Sequence, residues 1–219
     1  MCSRLSLINE MELDLKKGFT TSKKLTVAIT ASLLLLLTAC TPINSAATVG
    51  KTTISINKVQ KTVAQILVER TKVSTTGMTL DTGETLNRNQ VTFFVIAELL
   101  NQLGADHKIT VTEPEVTDEI AKITAQVGGS SKLPAALVNA GVAPQNLREY
   151  FHTYLMSSKI STALAGNGVA TADMSATIQK LVAQEADKLK VTINPRYGTW
   201  DSVNATIVAA PLASGSVKK

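Results

Sequence analysis

Four acidic side chains stand close together in the sequence, and paired carboxylates are a common device for general acid–base catalysis. They are Glu113, Glu115, Asp118 and Glu119. The same clustering is typical of a helix N-terminus, where negative charge interacts favourably with the helix dipole. Thr112, followed three residues later by Glu115, also forms a capping-box pattern. We therefore assign these carboxylates to a helix start rather than to catalysis.

The other residue types that support catalysis or metal binding show no recognisable spacing. His107 and His152 are far apart in sequence, and neither belongs to an HExxH pattern. Gly128-Gly129 lacks the Lys and Ser/Thr of a phosphate-binding loop, and no serine lies in a GxSxG turn. We therefore expect no catalytic residue, no metal and no cofactor. The sequence thus predicts that the protein is not an enzyme.

One of the two cysteines has a distinctive setting. Four lysines between residues 16 and 24 precede an apolar run, residues 25–39, which ends at Cys40. This order is typical of a bacterial signal peptide, and Leu37-Thr38-Ala39-Cys40 resembles the lipobox, whose cysteine thiol accepts diacylglycerol. The run is shorter than the roughly 20 apolar residues of a membrane-spanning helix. An ordinary secretory peptide with an incidental cysteine is the alternative.

Lipidation of Cys40 predicts where the protein is located. Removal of residues 1–39, from a start at Met1 or Met11, exposes Cys40 as the new N-terminus. Fatty acyl chains such as palmitate then hold it on the extracytoplasmic face of the cell membrane, since each buried CH₂ contributes about 0.8 kcal/mol and two chains anchor stably. Residues 40–47 are small and polar, which predicts a flexible, lipidated tether. With Cys2 removed, no thiol remains for catalysis or a disulfide.

Charge and length exclude some classes of protein. The net charge is +5 at pH 7, and five Lys/Arg against three Asp/Glu precede Cys40. The remaining charge is small and dispersed, which argues against a nucleic-acid partner, because such proteins carry a basic stripe or patch. An attraction to anionic membranes would be weak. The length after Cys40 fits one domain, and the sequence does not determine the oligomeric state.

Apolar periodicity predicts a mainly α fold over residues 48–200. Residues 48–56 alternate loosely around a Gly50-Lys51 turn, which indicates a short strand or a hairpin, and Ser55 is a candidate N-cap for the helix that follows. A helix then runs to about Lys72, residues 73–88 are a loop, and residues 89–103 form a helix that is apolar all round and therefore buried. The first of these helices has an apolar stripe of Val59, Val63, Ile66 and Leu67.

The second half of the chain predicts four further helices and a closing strand. The helices begin at the capping box, near residue 132, at Pro144 and at Thr171, and glycines separate them. Alternation at residues 191–193 indicates a strand, and we expect it to pair with the strand at the other end of the mature chain. Residues 201–219 are small and polar, which predicts a flexible tail.

Aromatic and methionine residues are the candidates for a binding surface. An aromatic stripe at helical spacing is more often core than ligand site, and this one comprises Leu147, Tyr150, Phe151, Tyr154 and Leu155. Tyr197 and Trp200, beside Arg196, either pack on the helices, which we favour, or line a groove. Thioether side chains adapt to varied partners, but core filling is the default for Met78, Met156 and Met174.

Three passages are similar to the N-terminal domain of the SurA and PrsA family of extracytoplasmic folding factors. They are residues 47–55 (ATVGKTTIS), residues 109–116 (ITVTEPEV) and residues 141–150 (GVAPQNLREY). A fourth passage, residues 191–200 (VTINPRYGTW), resembles the closing segment of lipoproteins of this kind in actinobacteria. The resemblance implies a multi-helix domain of the SurA N-terminal type with a small two-stranded pairing of its terminal strands.

The chain departs from this family in one respect. Family members that isomerise prolyl bonds carry a separate parvulin domain of on the order of 100 residues, whereas fewer than 30 residues follow Lys190 here. The resemblance therefore implies a non-enzymatic chaperone that binds unfolded or secreted polypeptides. The alternatives are a structural or adaptor lipoprotein that docks one envelope partner and, as the weakest, a prolyl isomerase.

Overall fold

The computed structural model describes residues 44–210, which contain six α-helices and five short strands. The strands are β1 (Ser45–Val49), β2 (Thr52–Ser55), β3 (Thr192–Ile193), β4 (Thr199–Asp201) and β5 (Thr206–Val208). The helices are α1 (Ile56–Arg70), α2 (Gly83–Asp106), α3 (Glu113–Gln126), α4 (Leu133–Asn139), α5 (Leu147–Gly166) and α6 (Met174–Lys188). The predicted mainly α class is confirmed.

The strands at the two ends of the domain meet at β1. β1 lies in the middle of an antiparallel sheet, with Ala47 opposite Ile54 of β2 on one side and Ile193 of β3 on the other. The β1–β2 turn uses Gly50 at φ +56°, and its N–H donates to the carbonyl of Leu189 over 2.9 Å. The predicted pairing of terminal strands is confirmed, within a three-stranded sheet rather than a two-stranded one.

The tether prediction is wrong for its last residues. Ser45, Ala46 and Ala47 belong to β1 and are fully buried. Their small side chains fit a strand that packs directly against α2, so the composition that resembles a flexible linker reflects close packing instead. The carbonyl of Asn44 also accepts a 2.9 Å hydrogen bond from the N–H of Ile56.

The first helix follows the sequence pattern with one exception. Ser55 caps α1, because its hydroxyl accepts a hydrogen bond from the N–H of Lys58 over 3.1 Å. Val63 and Ile66 of the predicted stripe are buried, whereas Leu67 is 46% exposed. At a helical period of 3.6 residues, Leu67 lies at the edge of the stripe, beyond the reach of the neighbouring helices.

The long helix α2 is the centre of the domain. It packs against α1, α5, α6 and the sheet, and its buried residues include Val91, Val95 and Leu99. It begins at Gly83, so the predicted loop is six residues too long at its end. The apolar pattern does not reveal the start of α2, because most residues of its first turns are polar and face outward. Leu86 is already buried.

The helices α3 and α4 begin where the sequence predicts, whereas α5 and α6 each begin three residues later, after a 3-10 turn. The capping box is present at the start of α3, and a 3-10 turn at Pro144–Asn146 leads directly into α5. A second 3-10 turn, Thr171–Asp173, leads into α6. α3 packs on α5, and α4 packs on α1.

The tail prediction is wrong for its first part. β4 and β5 form a hairpin in which Trp200 lies opposite Ile207, and Ile207 is buried. Gly198 permits this arrangement at φ +125°, where an added Cβ would lie 2.0 Å from the carbonyl oxygen of Val208. The ordered domain therefore extends past residue 200, because a hairpin that packs on α2 buries the apolar residues of an otherwise polar segment.

Several predicted features lie outside the described residues. These are the signal peptide, residues 1–39; the lipobox residues Leu37, Thr38, Ala39 and Cys40; the first part of the tether; and the last part of the tail. They stay predictions. Within residues 44–210, no helix combines the length and the apolar character needed to cross a membrane.

Candidate polypeptide-binding surface

Five aromatic rings form a continuous row between α2 and α5. In order they are Phe94, Phe93, Tyr150, Phe151 and Tyr154, and we call them the aromatic row. The centroids of Phe93 and Tyr150 lie 6.0 Å apart and join the two helices. Phe151 meets Tyr150 and Tyr154 edge-on, at 5.5 and 6.4 Å, which is a favourable geometry for aromatic pairs.

The aromatic row begins at a buried ring and ends at an exposed one. Phe94 and Phe151 are 2% and 5% exposed, Phe93 and Tyr150 are half-buried, and Tyr154 is 50% exposed. The prediction of a core stripe is therefore right for Phe151 and wrong for Tyr154. Tyr154 packs edge-on against the buried Phe151, so its ring is supported on one side while half of the side chain stays open to solvent. Tyrosine offers a large contact area with only two side-chain torsions, so it binds at a low cost in conformational entropy.

A small groove runs beside the middle of this row. It has a volume of about 160 Å³, and the rings of Phe93 and Tyr150 line it together with the segment 140–143. The side-chain amide of Gln90 donates to the carbonyl of Gly141 over 3.2 Å and fixes that segment against α2. At the rim, Asn89 donates to the carboxylate of Asp81 over 2.7 Å. The groove therefore combines an apolar wall with polar groups at its edge.

Two neighbouring side chains of α1 add exposed apolar surface. Leu67 is 46% exposed and Val68 is 52% exposed. Single exposed apolar residues are ordinary in folded domains. These two side chains are therefore weaker evidence for a binding surface than the aromatic row.

The helix α3 is held to α5 by one buried side chain and two ion pairs. Val116 is fully buried, whereas Ile120 and Ile123 are only half-buried. Arg148 pairs with Glu113, and the ammonium of Lys159 donates to Glu115 over 2.6 Å. This helix therefore leaves part of its apolar face accessible.

The acidic group serves the fold. Glu115 accepts from Lys159 and from the N–H of Thr112, and these bonds lower the pKa of its carboxyl to about 2. Glu119 pairs with Lys122 over 3.1 Å, and Asp118 is exposed. Because a carboxyl that ionises so readily is a poor general acid near neutral pH, the arrangement favours the predicted structural role.

Two other groups have shifted pKa values at the surface. Hydrogen bonds to Asp106 and Glu185 raise the pKa of Lys188. Hydrogen bonds from the side chain and backbone of Asn204 lower the pKa of Asp201, which stabilises the β4–β5 turn. Both shifts arise from local ion pairing or turn formation.

The structure disperses the other candidate residues. His107 is exposed at the end of α2, and His152 is half-buried in the second turn of α5. Met156 is a core residue in contact range of Gly104, while Met78 and Met174 are half-buried. Within residues 44–210, no group of three or more His, Cys, Asp or Glu side chains is close enough to hold a metal ion.

The closing segment packs on the helices and also borders a cleft. Tyr197 is 5% exposed, and its carbonyl accepts from Arg88 over 3.3 Å, so the packing interpretation holds for it. Trp200 is half-buried against the core. Arg196 instead lies on the wall of a polar cleft of about 850 Å³, which Glu84 and Arg88 also line.

Sequence reasoning missed the groove beside Phe93. The spacing of Tyr150, Phe151 and Tyr154 predicts the stripe on α5, whereas the apolar run around its partner Phe93 predicts a helix that is buried all round. The position of Phe93 next to Phe94 was a signal, because two consecutive residues cannot both face the same side of a helix.

Comparison with known proteins identifies the family. A family model for the SurA-like N-terminal domain matches residues 23–161, which include β1, β2, α1 to α4 and most of α5. No curated protein and no solved structure matches the chain. A domain of this family implies a chaperone-type role and the binding of polypeptide substrates. Because the match covers well over half of the sequence, the chain belongs to the SurA-like N-terminal domain family.

Proposed function

We propose that this protein is a non-enzymatic chaperone that is lipidated at Cys40 and held on the extracytoplasmic face of the cell membrane. It binds unfolded or secreted polypeptides through the aromatic row and the groove between α2 and the start of α5. The observation that carries the proposal is the row itself, which reaches from the buried Phe94 to the half-exposed Tyr154.

The groove suits an apolar side chain of an extended polypeptide. The rings of Phe93 and Tyr150 offer apolar contact, and burial of apolar surface contributes roughly 25 cal/mol per Å². Asp81 and Asn89 at the rim offer hydrogen bonds to a client backbone. This combination binds many sequences weakly, because the groove recognises any apolar side chain and requires no fixed order of polar groups in the client.

A lipid anchor makes weak binding sufficient. Attachment to the membrane confines the chaperone to the surface where secreted chains emerge, which raises its effective concentration near them. The anchoring proposal is supported by the order of basic region, apolar run and Cys40 in the sequence. The N-terminal peptide of the wild-type protein should begin at Cys40 and carry the mass of attached acyl chains, and replacement of Cys40 by alanine should abolish incorporation of a labelled fatty acid.

An aggregation assay tests the chaperone activity. The purified protein should delay aggregation of an unfolded client at a roughly stoichiometric ratio. Tyr154→Gln should shorten that delay at least about twofold, because it removes the exposed end of the aromatic row. Thr162→Gln, at an exposed site on the same helix, is the matched control and should leave the delay unchanged. No delay at several-fold excess of the wild-type protein would contradict the proposal.

Crosslinking tests the range of partners. A photocrosslinker at position 154 in intact cells should yield many secreted proteins. One discrete product would indicate an adaptor that docks a single envelope partner instead. A proline-limited refolding assay should show no acceleration, and an accelerated phase would overturn the non-enzymatic assignment.

A further inference from the structure

The start of β1 limits where a lipid on Cys40 can lie, so this inference rests on the proposed lipidation. Asn44 is fixed to the domain by the N–H of Ile56, and the carbonyl of Ser45 accepts from the side-chain amide of Asn194 over 2.9 Å. Four peptide units join Cys40 to Asn44, and a fully extended chain of that length spans at most about 14 Å. The end of the domain that carries Asn44 must therefore stay near the membrane surface.

Basic side chains surround this end of the domain. Lys58 and Lys61 lie on the first two turns of α1, immediately after Ser55, which is opposite Ser45 in the sheet. Arg196 follows Asn194, and its N–H donates to the Asn194 side chain over 3.2 Å. Lys61 and Arg196 are both exposed.

The acidic groups on the same end do not balance these cations. Glu149 pairs with Lys58 over 2.8 Å, and Glu84 shares the polar cleft with Arg88 and Arg196. Among the described residues, Lys61 and Arg196 form no ion pair. We call this set the anchor-end surface: Lys58, Lys61, Arg88 and Arg196, with Glu84 and Glu149. It carries more positive than negative charge.

We propose that the anchor-end surface docks on anionic lipid headgroups and so orients the chaperone on the membrane. Attraction to an anionic leaflet decays within a Debye length, about 8 Å at physiological ionic strength. A freely diffusing domain with so few cations would bind weakly. The connection to Cys40 is at most about 14 Å long, so it holds the surface within about two Debye lengths of the leaflet, and a weak attraction is then enough to set a preferred orientation.

Lysine footprinting on vesicles tests this orientation. The described residues 44–210 lie within one compact unit. Cys40 is the one cysteine in residues 40–219, so the fragment of residues 40–219 can be coupled through Cys40 to a maleimide lipid. Its helicity is checked first by circular dichroism. Acetylation by an uncharged reagent is then compared between vesicles of phosphatidylcholine and vesicles that contain about a third phosphatidylglycerol.

The expected result is specific to one end of the domain. Lys61 should react at least about threefold more slowly on anionic vesicles, while Lys51 and Lys180, which lie outside the surface, keep their rates. Asn57→Glu/Arg196→Glu should restore the reactivity of Lys61. Ser175→Glu/Lys180→Glu, which changes the charge equally on α6, should not.

Equal rates for Lys61 on both vesicle types, or an equal slowing of Lys61 and Lys51, would overturn the proposed docking. Because the lipid is attached chemically, that result concerns the surface alone. Acylation of Cys40 in cells is judged separately, from the mass of the N-terminal peptide, so the failure of either proposal is recognised independently.

Discussion

The carboxylate of Glu115 joins the start of one helix to the side of another. One of its oxygens accepts from the N–H of Thr112 over 2.8 Å, and the other accepts from the ammonium of Lys159 over 2.6 Å. Lys159 also donates to the carbonyl of Thr110 over 2.7 Å. The residue that caps α3 therefore also attaches it to α5, next to the buried Val116.

Protonation of Glu115 should weaken the fold at low pH. Folding lowers the pKa of this carboxyl from 4.5 to about 2, so the unfolded chain binds more protons between these values. The stabilisation is complete above about pH 4.5 and is lost as the pH falls toward 2. Urea unfolding at pH 6 and pH 3 should therefore show a smaller pH dependence for Glu115→Gln than for the wild type. Asp118→Asn, on the same helix, should retain the wild-type dependence, and identical behaviour of all three proteins would contradict the assignment.

Two leucines test whether burial, rather than hydrophobic character alone, sets the contribution of a side chain to the free energy of unfolding. Leu99→Ala in α2 removes a fully buried side chain and should lower the free energy of unfolding by about 3 kcal/mol. Leu67→Ala in α1 removes an exposed side chain and should change it by less than about 0.5 kcal/mol. Urea denaturation of both variants measures the difference. Equal losses would mean that Leu67 is buried in solution, for example against a second copy.

Gly104 should be intolerant of alanine even though it lies in a helix. Alanine normally stabilises a helix by up to about 1 kcal/mol relative to glycine, but a Cβ here would lie 2.5 Å from the sulfur of Met156. Gly104→Ala should instead destabilise the protein by about 2 kcal/mol. In a double-mutant cycle, Met156→Ala should cost less in the Gly104→Ala background than in the wild type. A rise in Tm for Gly104→Ala alone would show that the side chains repack freely.

Gly198→Ala should disrupt the closing hairpin. The positive φ and the 2.0 Å approach of an added Cβ to the Val208 carbonyl leave no room for a side chain. Trp200 lies in β4, so its fluorescence should shift to longer wavelength as it becomes hydrated. Gly129→Ala also has a positive φ, yet its added Cβ meets open space, and its emission should stay unchanged. An unshifted Trp200 spectrum in Gly198→Ala would contradict the hairpin packing.

Local sequence signals predicted many of the element boundaries. The Gly50-Lys51 turn, the Ser55 cap and the capping box at Thr112 each depend on contacts within a few residues, so they can be recognised from spacing alone. The lipobox resemblance at Cys40 is local in the same way. These features need no knowledge of the rest of the chain.

The wrong predictions concern segments whose structure depends on residues that are distant in the sequence. The strand at Ser45 is composed of small residues, and only its position between β2, β3 and α2 makes it ordered. The hairpin at Trp200 is likewise ordered by packing on α2. Both segments have the composition of linkers, because small residues suit flexible chains and close contacts equally well.

The sequence by itself determined the helical class, the main caps and turns, the family and the predicted anchor, since periodicity, capping and motif order are encoded locally. Only the tertiary structure decided which apolar residues reach the solvent. Phe93 and Tyr154 carry aromatic rings as Phe94 and Phe151 do, but their exposure depends on which helices pack beside them. The candidate binding surface is therefore decided by tertiary packing, because the local sequence does not encode which side chains a neighbouring helix covers.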